Sequence, residues 1–252
     1  MELIRGLHNL RGRHRGSAVT IGNFDGFHLG HQAMLAQLRE RAAALGVKPT
    51  VMIFEPAPRE FFQRDAAPAR LSSLREKCAA LAAAGAEQVL CVRFGRAFSN
   101  LAPQAFIQRL LIDGLDARYV LVGDDFRFGH DRAGDFATLQ AAGDENGFEV
   151  AAVPTVEVDG ERVSSTRVRT ALADHDFNLV RRLLGHEYSI RGRVRHGKKL
   201  GGELGFPTLN IALKRYVSPV NGIYVVHVRD IGYGVASVGT RPTVQGTDQL
   251  LE

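Results

Sequence analysis

A chain of 252 residues and 27.5 kDa, 45% of them hydrophobic, is long enough to bury one large core or two smaller ones and reads as a globular protein. No run approaches the roughly 18 continuous apolar residues of a membrane span, and MELIRGLHNLRGRHRG lacks the apolar segment of a signal peptide, so the expected location is the cytoplasm with no membrane partner. The net charge of +5 is uneven, with nine Lys or Arg against five Asp or Glu in residues 183–252 and 23 against 22 before them. Arg191, Arg193, Arg195, Lys198 and Lys199 lack the interleaved aromatics of a single-strand binder. A basic tail can serve a nucleic acid or a polyphosphate small molecule, and the small molecule is the expected partner.

In chain order, apolar β-rich runs alternate with helix-like stretches between Ala18 and Val153. The predicted strands are Ala18–Gly22, Thr50–Phe54, Gln88–Val92, Tyr119–Val122 and Phe148–Val153. Between them, HQAMLAQLRERAAALG, LSSLREKCAALAAAG and APQAFIQRLLIDGL carry apolar residues at helical spacing, the first two ending at Gly46 and Gly85, which suit helix C-caps. This pattern predicts a doubly wound α/β domain with a Rossmann-like parallel sheet, in which ligands bind beyond the carboxyl ends of the strands. Cys78 and Cys91, without CxxC spacing or neighbouring His, read as buried inert thiols. After Arg181 the runs Tyr188–Arg195, Thr208–Ile211, Gly222–Arg229 and Gly234–Val238 are short, β-like and separated by Gly, Pro and Asn turns. They predict an all-β second domain, with residues 1–182 and 183–252 as the two units.

The segment TIGNFDGFHLGHQAML places His28 and His31 in a loop between a strand and an apolar-periodic helix. A helix N-terminus offers unpaired N–H groups and a positive dipole end, Gly26 and Gly30 permit close backbone approach, and two imidazoles can donate to phosphoryl oxygens, so the spacing predicts a triphosphate site. SSTRVR supplies the hydroxyls of Ser164, Ser165 and Thr166 and the guanidiniums of Arg167 and Arg169 where another helix starts, which suits outer phosphates and departing pyrophosphate; a plain N-cap followed by solvated arginines is the structural alternative. GDDFRFG follows the strand Tyr119–Val122 and offers Asp125, Arg127 and the faces of Phe126 and Phe128, on which a planar ring can stack unless those side chains are core. FEPAP, from Phe54 to Pro58, is a rigid turn that either walls the site or is purely structural.

H-x-G-H after the first predicted strand resembles the signature of the nucleotidyltransferase superfamily. Together with GNFDGFHLGH, FEPAP, GDDFRFG and SSTRVR in this order, it resembles the bacterial bifunctional riboflavin kinase and FAD synthetase family. The resemblance implies that FMN phosphate attacks the α-phosphorus of ATP, giving FAD and pyrophosphate. His28, His31 and Arg167 would stabilise the transition state, and Gly22, Asn23, Phe24, Asp25 and Gly30 would bind nucleotide. HGKKLGGELGFPTLNI resembles the kinase motif of the same family, a partial riboflavin kinase-like barrel in which Gly205 lies in the turn over ATP and Thr208 and Asn210 hold Mg²⁺. There ATP would phosphorylate riboflavin, with Glu252 as base. Family members continue beyond the segment that reads LLE here, so the kinase half is expected to be incomplete at its C-terminus. Another H-x-G-H adenylyltransferase and a non-catalytic nucleic-acid-binding protein are the alternatives.

Overall fold

The computed structural model describes residues 1–195, 208–213, 217–243 and 246–251. The chain opens with β1 (Glu2–Arg5), two 3₁₀ turns and β2 (Ser17–Ile21). There follow α1 (Leu29–Leu45), β3 (Lys48–Glu55), α2 (Pro58–Phe62), α3 (Leu74–Ala83), β4 (Gln88–Arg93), α4 (Arg96–Ser99), α5 (Pro103–Phe106) and β5 (Ala117–Gly123). Then come α6 (Phe136–Asn146), β6 (Glu149–Val153), the hairpin β7 (Glu157–Val158) and β8 (Glu161–Arg162), α7 (Ser165–Ala173) and α8 (Phe177–Leu184). Strands β1 to β6 form a six-stranded sheet of order β1-β4-β3-β2-β5-β6, parallel throughout. From β2 the chain winds outward through β3 to β4, then returns to lay β5 on the other side of β2. The sheet's switch point is therefore the carboxyl end of β2, where an open α/β sheet leaves a crevice for a ligand.

Each face of the sheet has its own apolar layer, one built on Leu90, Leu110, Leu111 and Val120 and the other on Leu35, Leu38, Val51 and Leu81. All five predicted strands are present. The sequence reading omitted β1, because ELIR is a four-residue edge strand whose alternation is too short to stand out. APQAFIQRLLIDGL forms α5 continued by a π-helix at Ile107–Ile112, a widened turn that still buries Ile107, Leu110 and Leu111.

Beyond α8, β9 (Val194–Arg195), β10 (Asn210–Ala212), β11 (Gly222–Val228), β12 (Gly232–Thr243) and β13 (Gly246–Leu251) pair antiparallel in the order β11-β12-β13-β10-β9. Residues 188–193 are not a strand, contrary to expectation. Tyr188 and Ile190 instead pack onto a third apolar cluster. That cluster joins Leu71, α7 and α8 to Leu213, Val220 and Val238, so the two parts of the chain share a core. Helix α8 runs through the expected boundary at Arg182 and closes on Gly185 in the left-handed region (φ 75°).

Candidate active site

The loop Gly22–His28 leaves the switch point and feeds α1 directly. His28 occupies the N-cap position yet makes no side-chain cap bond, so the first-turn amides of α1 have no side-chain acceptor there. Phe24 and Phe27 hold left-handed backbone (φ 48° and 42°), rare for bulky residues, and both are anchored by burial. A Cβ on Gly30 would sit 3.2 Å from the His28 ring, so glycine at that position lets the imidazole lie across the first helical turn. His28 and His31 stack with ring centroids 3.7 Å apart, and Phe24 lies 4.8 Å from His31 on another side.

Both histidines are electrostatically unusual. The Nδ1 atoms of His28 and His31 are shielded from solvent and have no hydrogen-bond partner, the condition of buried polar atoms arranged for a ligand. Burial lowers His28 to a pKa of about 4, with Asp25 opposing the shift and Arg162 and Arg169 adding to it. Burial, His28 and Lys77 hold His31 well below the ordinary imidazole value. Both rings are therefore neutral at pH 7, each presenting one N–H donor. A native pKa below the unfolded value means that the unfolded chain binds more protons. His28 thus contributes stability that is complete above pH 6.5 and is lost as pH falls toward 4, a change on the order of 3 kcal/mol. Denaturant unfolding of the wild type and His28→Gln across this range should show the wild type losing more stability on acidification; parallel curves would count against the burial assigned here.

The two rings line a cavity of about 470 Å³. Its walls come from Gly22, Phe24, Gly30 and Met34 on the β2–α1 side, Gly123–Phe126 after β5, Val153–Val156 after β6, and Arg162–Ser164. Of the residues expected from sequence, Gly22, Phe24, His28, Gly30, His31, Asp125, Phe126 and Ser164 meet in this space. Phe128 is buried in the core and stacks on Phe126 at 5.6 Å, while Arg127 pairs with Asp135 at 3.1 Å. Asn23 and Thr166 are exposed outside the lining. Ser164 caps α7 by accepting from the Arg167 amide, and the Ser165 hydroxyl donates to the Asp25 carbonyl.

The two arginines of SSTRVR do not face the cavity. The Arg167 guanidinium donates to the carbonyls of Val158 and Glu161 at 2.8 and 2.9 Å and pairs with the Glu161 carboxylate, fastening the β7–β8 hairpin to α7. Arg169 pairs with Asp25 at 2.6 Å and donates to the Ala69 carbonyl. Arg162, which no motif marks, is the guanidinium that lines the cavity among the described residues, bridging Asp124 and Asp125 at 3.3 and 3.1 Å. The signal that would have found it is Asp159-Gly160, both with positive φ, a two-residue hairpin turn that aims the end of β8 at the site. FEPAP joins a buried ion cluster in which Arg70 pairs with Glu55 at 2.7 Å and with Glu60, and the Lys77 ammonium lies buried nearby with its pKa lowered by burial.

In the second domain Asn210 is buried at the start of β10, whereas Thr208 lies two residues before it, outside the strand, and is exposed. Gly205 and Glu252 lie outside the described residues. Among the described residues no group of three or more His, Cys, Asp or Glu could hold a metal ion, and no helix is long and apolar enough to cross a membrane.

Comparison with known proteins agrees with this architecture. Residues 10–167 match the FAD synthetase family and residues 184–252 the riboflavin kinase family. The bifunctional riboflavin kinase/FMN adenylyltransferase of Pseudomonas fluorescens is 55% identical over 249 residues, covering 98% of this chain and 80% of that protein. The protein of the same name from Escherichia coli K12 is 51% identical, covering 100% and 82%. A crystal structure described as a macrolide-efflux protein from Streptococcus pneumoniae superposes with a TM-score of 0.80 at 27% identity, covering 100% of this chain and 84% of that one. With both halves matched in order and most of each relative's length covered, the chain belongs to the bifunctional riboflavin kinase/FMN adenylyltransferase family.

Proposed function

We propose that the first domain transfers AMP from ATP to FMN, releasing pyrophosphate and making FAD, and that the second phosphorylates riboflavin to FMN with ATP. The observation that carries the adenylylation reading is the pair of stacked imidazoles with unpartnered Nδ1 atoms at the start of α1, at the sheet's switch point. Backbone amides of α1 and the N–H groups of His28 and His31 bind phosphoryl oxygens without needing a charged partner. The reaction requires no protein nucleophile: the FMN phosphate attacks in line as pyrophosphate departs, so alignment and charge stabilisation supply the rate. Arg162 is the cation placed to exchange its two carboxylates for leaving phosphates, while Arg167 and Arg169 position the hairpin and the loop. Phe126, stacked on buried Phe128, offers the cavity a flat apolar face for a flavin ring.

Magnesium fits as a partner of the nucleotide's phosphates, because Mg²⁺ in such sites takes only one or two protein oxygens beside phosphate and water. In the second domain Asn210, with Thr208, would hold it, and bound there it would neutralise charge on the transferring phosphate. Asn210 itself fixes the start of β10 against β9, opposite Arg195. Incubating the chain with Mg·ATP and FMN and separating the products by chromatography tests the reading. FAD should accumulate with equimolar pyrophosphate. No FAD from FMN, with adenylylation when pantetheine phosphate or nicotinamide mononucleotide replaces FMN, would overturn it.

A further inference from the structure

The nucleotide loop is not held by the first domain alone. The Asp25 carboxylate accepts from the amides of Leu71 and Ser72 at 3.1 and 2.9 Å and from the Ser72 hydroxyl at 3.1 Å, and Ser72 Oγ in turn accepts from the Gly26 amide at 3.1 Å. The other side of the same segment faces the second domain. The Tyr188 hydroxyl donates to the Leu71 carbonyl at 3.1 Å, the Arg70 amide donates to the Val217 carbonyl at 3.4 Å, and the Leu71 side chain is buried in the shared core. Gln32, one residue past His31, makes a parallel link by donating both to the Phe27 carbonyl at 3.0 Å and to the Leu184 carbonyl at 2.7 Å.

Resting on the adenylylation reading above, we propose that residues 69–72 form a strut through which Tyr188 of the second domain positions the H-x-G-H loop for ATP. Tyr188 touches no substrate; it is a positioning residue that fixes one side of the Leu71 peptide while the other side holds Asp25. The Leu71 carbonyl and the Ser72 amide share one peptide plane, so its rotation would move the Ser72 amide off the Asp25 carboxylate and shift the Ser72 hydroxyl that holds the amide of Gly26, whose backbone (φ 81°) sets the turn into His28. The kinase half therefore contributes to a site whose recognisable motifs all lie in the other half.

Tyr188→Phe keeps the ring and removes the hydroxyl that donates to the Leu71 carbonyl. In FMN adenylylation by the full chain, its KM for ATP should rise about two- to tenfold, the range for one neutral hydrogen bond, with kcat changed by less than about twofold. Ser72→Ala should act in the same direction, and the two changes together should fall short of multiplying, because they cut one strut. Tyr224→Phe is the control: its hydroxyl also lies at the junction, near His175 and donating to Asn221, but it does not reach residues 69–72. It should leave the KM for ATP unchanged. Amide hydrogen exchange reads the strut without any assay: Gly26, Leu71 and Ser72 should exchange faster in Tyr188→Phe than in the wild type. Unchanged exchange at these amides, or an ATP KM equal to wild type in Tyr188→Phe, overturns the strut. Accelerated exchange in a chain that makes no FAD would keep the strut and overturn the adenylylation reading.

Discussion

Replacing His28 or His31 with Ala should reduce FAD formation by about tenfold to a thousandfold, the range for removing a donor that strengthens its hold in the transition state. The structure separates this effect from folding. His28 makes no cap bond and its Nδ1 has no partner, so its replacement breaks no hydrogen bond at either place and removes mainly the ring's packing on His31. Neutrality adds a second expectation. Because burial lowers the His28 pKa to about 4, on the proposed reading the ring would act at pH 7 as an uncharged donor, and Gln, also an uncharged donor, should restore more activity than Lys. A larger rescue by Lys, or near-normal turnover in both alanine variants, would mean that the imidazoles are not the phosphate contacts. The measurement is steady-state FAD synthesis with circular dichroism on each variant.

The alternation of strands and helices from Ala18 to Val153 was legible because buried parallel strands are apolar runs and the helices between them close on Gly46 and near Gly85. The place of H-x-G-H at a strand-to-helix junction on the cavity was legible because its residues are contiguous in the chain. The cavity position of Arg162 and the contacts of Arg167 and Arg169 were not. A guanidinium's partner depends on which backbone carbonyls the fold brings near it, and the carbonyls of Val158, Glu161 and Ala69 are invisible to spacing. The shared core was illegible for a similar reason: α8 reads as the end of a domain, yet Leu183 and Leu184 are buried in the same cluster as Val220 and Val238.

Asp25→Ala should be the most destabilising single change in the loop. It leaves Arg169 without its carboxylate and deprives the Leu71 and Ser72 amides of their acceptor, all in a site where the Asp25 side chain is 11% and that of Arg169 20% exposed. Breaking a buried pair by deleting one partner costs about 3–5 kcal/mol, which in a chain of this size lowers the melting temperature by on the order of 10 °C. Asp25→Asn keeps an acceptor for one amide and should fall between the two. Activity should drop with stability in both, since the same contacts set the turn into His28. A melting temperature within about 2 °C of wild type for Asp25→Ala would show that the loop is held by apolar burial of Phe24 and Phe27 alone.

Adenylylation at the H-x-G-H site is tested most directly by following label from ATP with FMN as the sole flavin. Phosphorus-32 in the α-position should appear in FAD and label in the γ-position in pyrophosphate, and both transfers should collapse together in His28→Ala. Label from the γ-phosphate appearing in flavin while none arrives from the α-phosphate would contradict it.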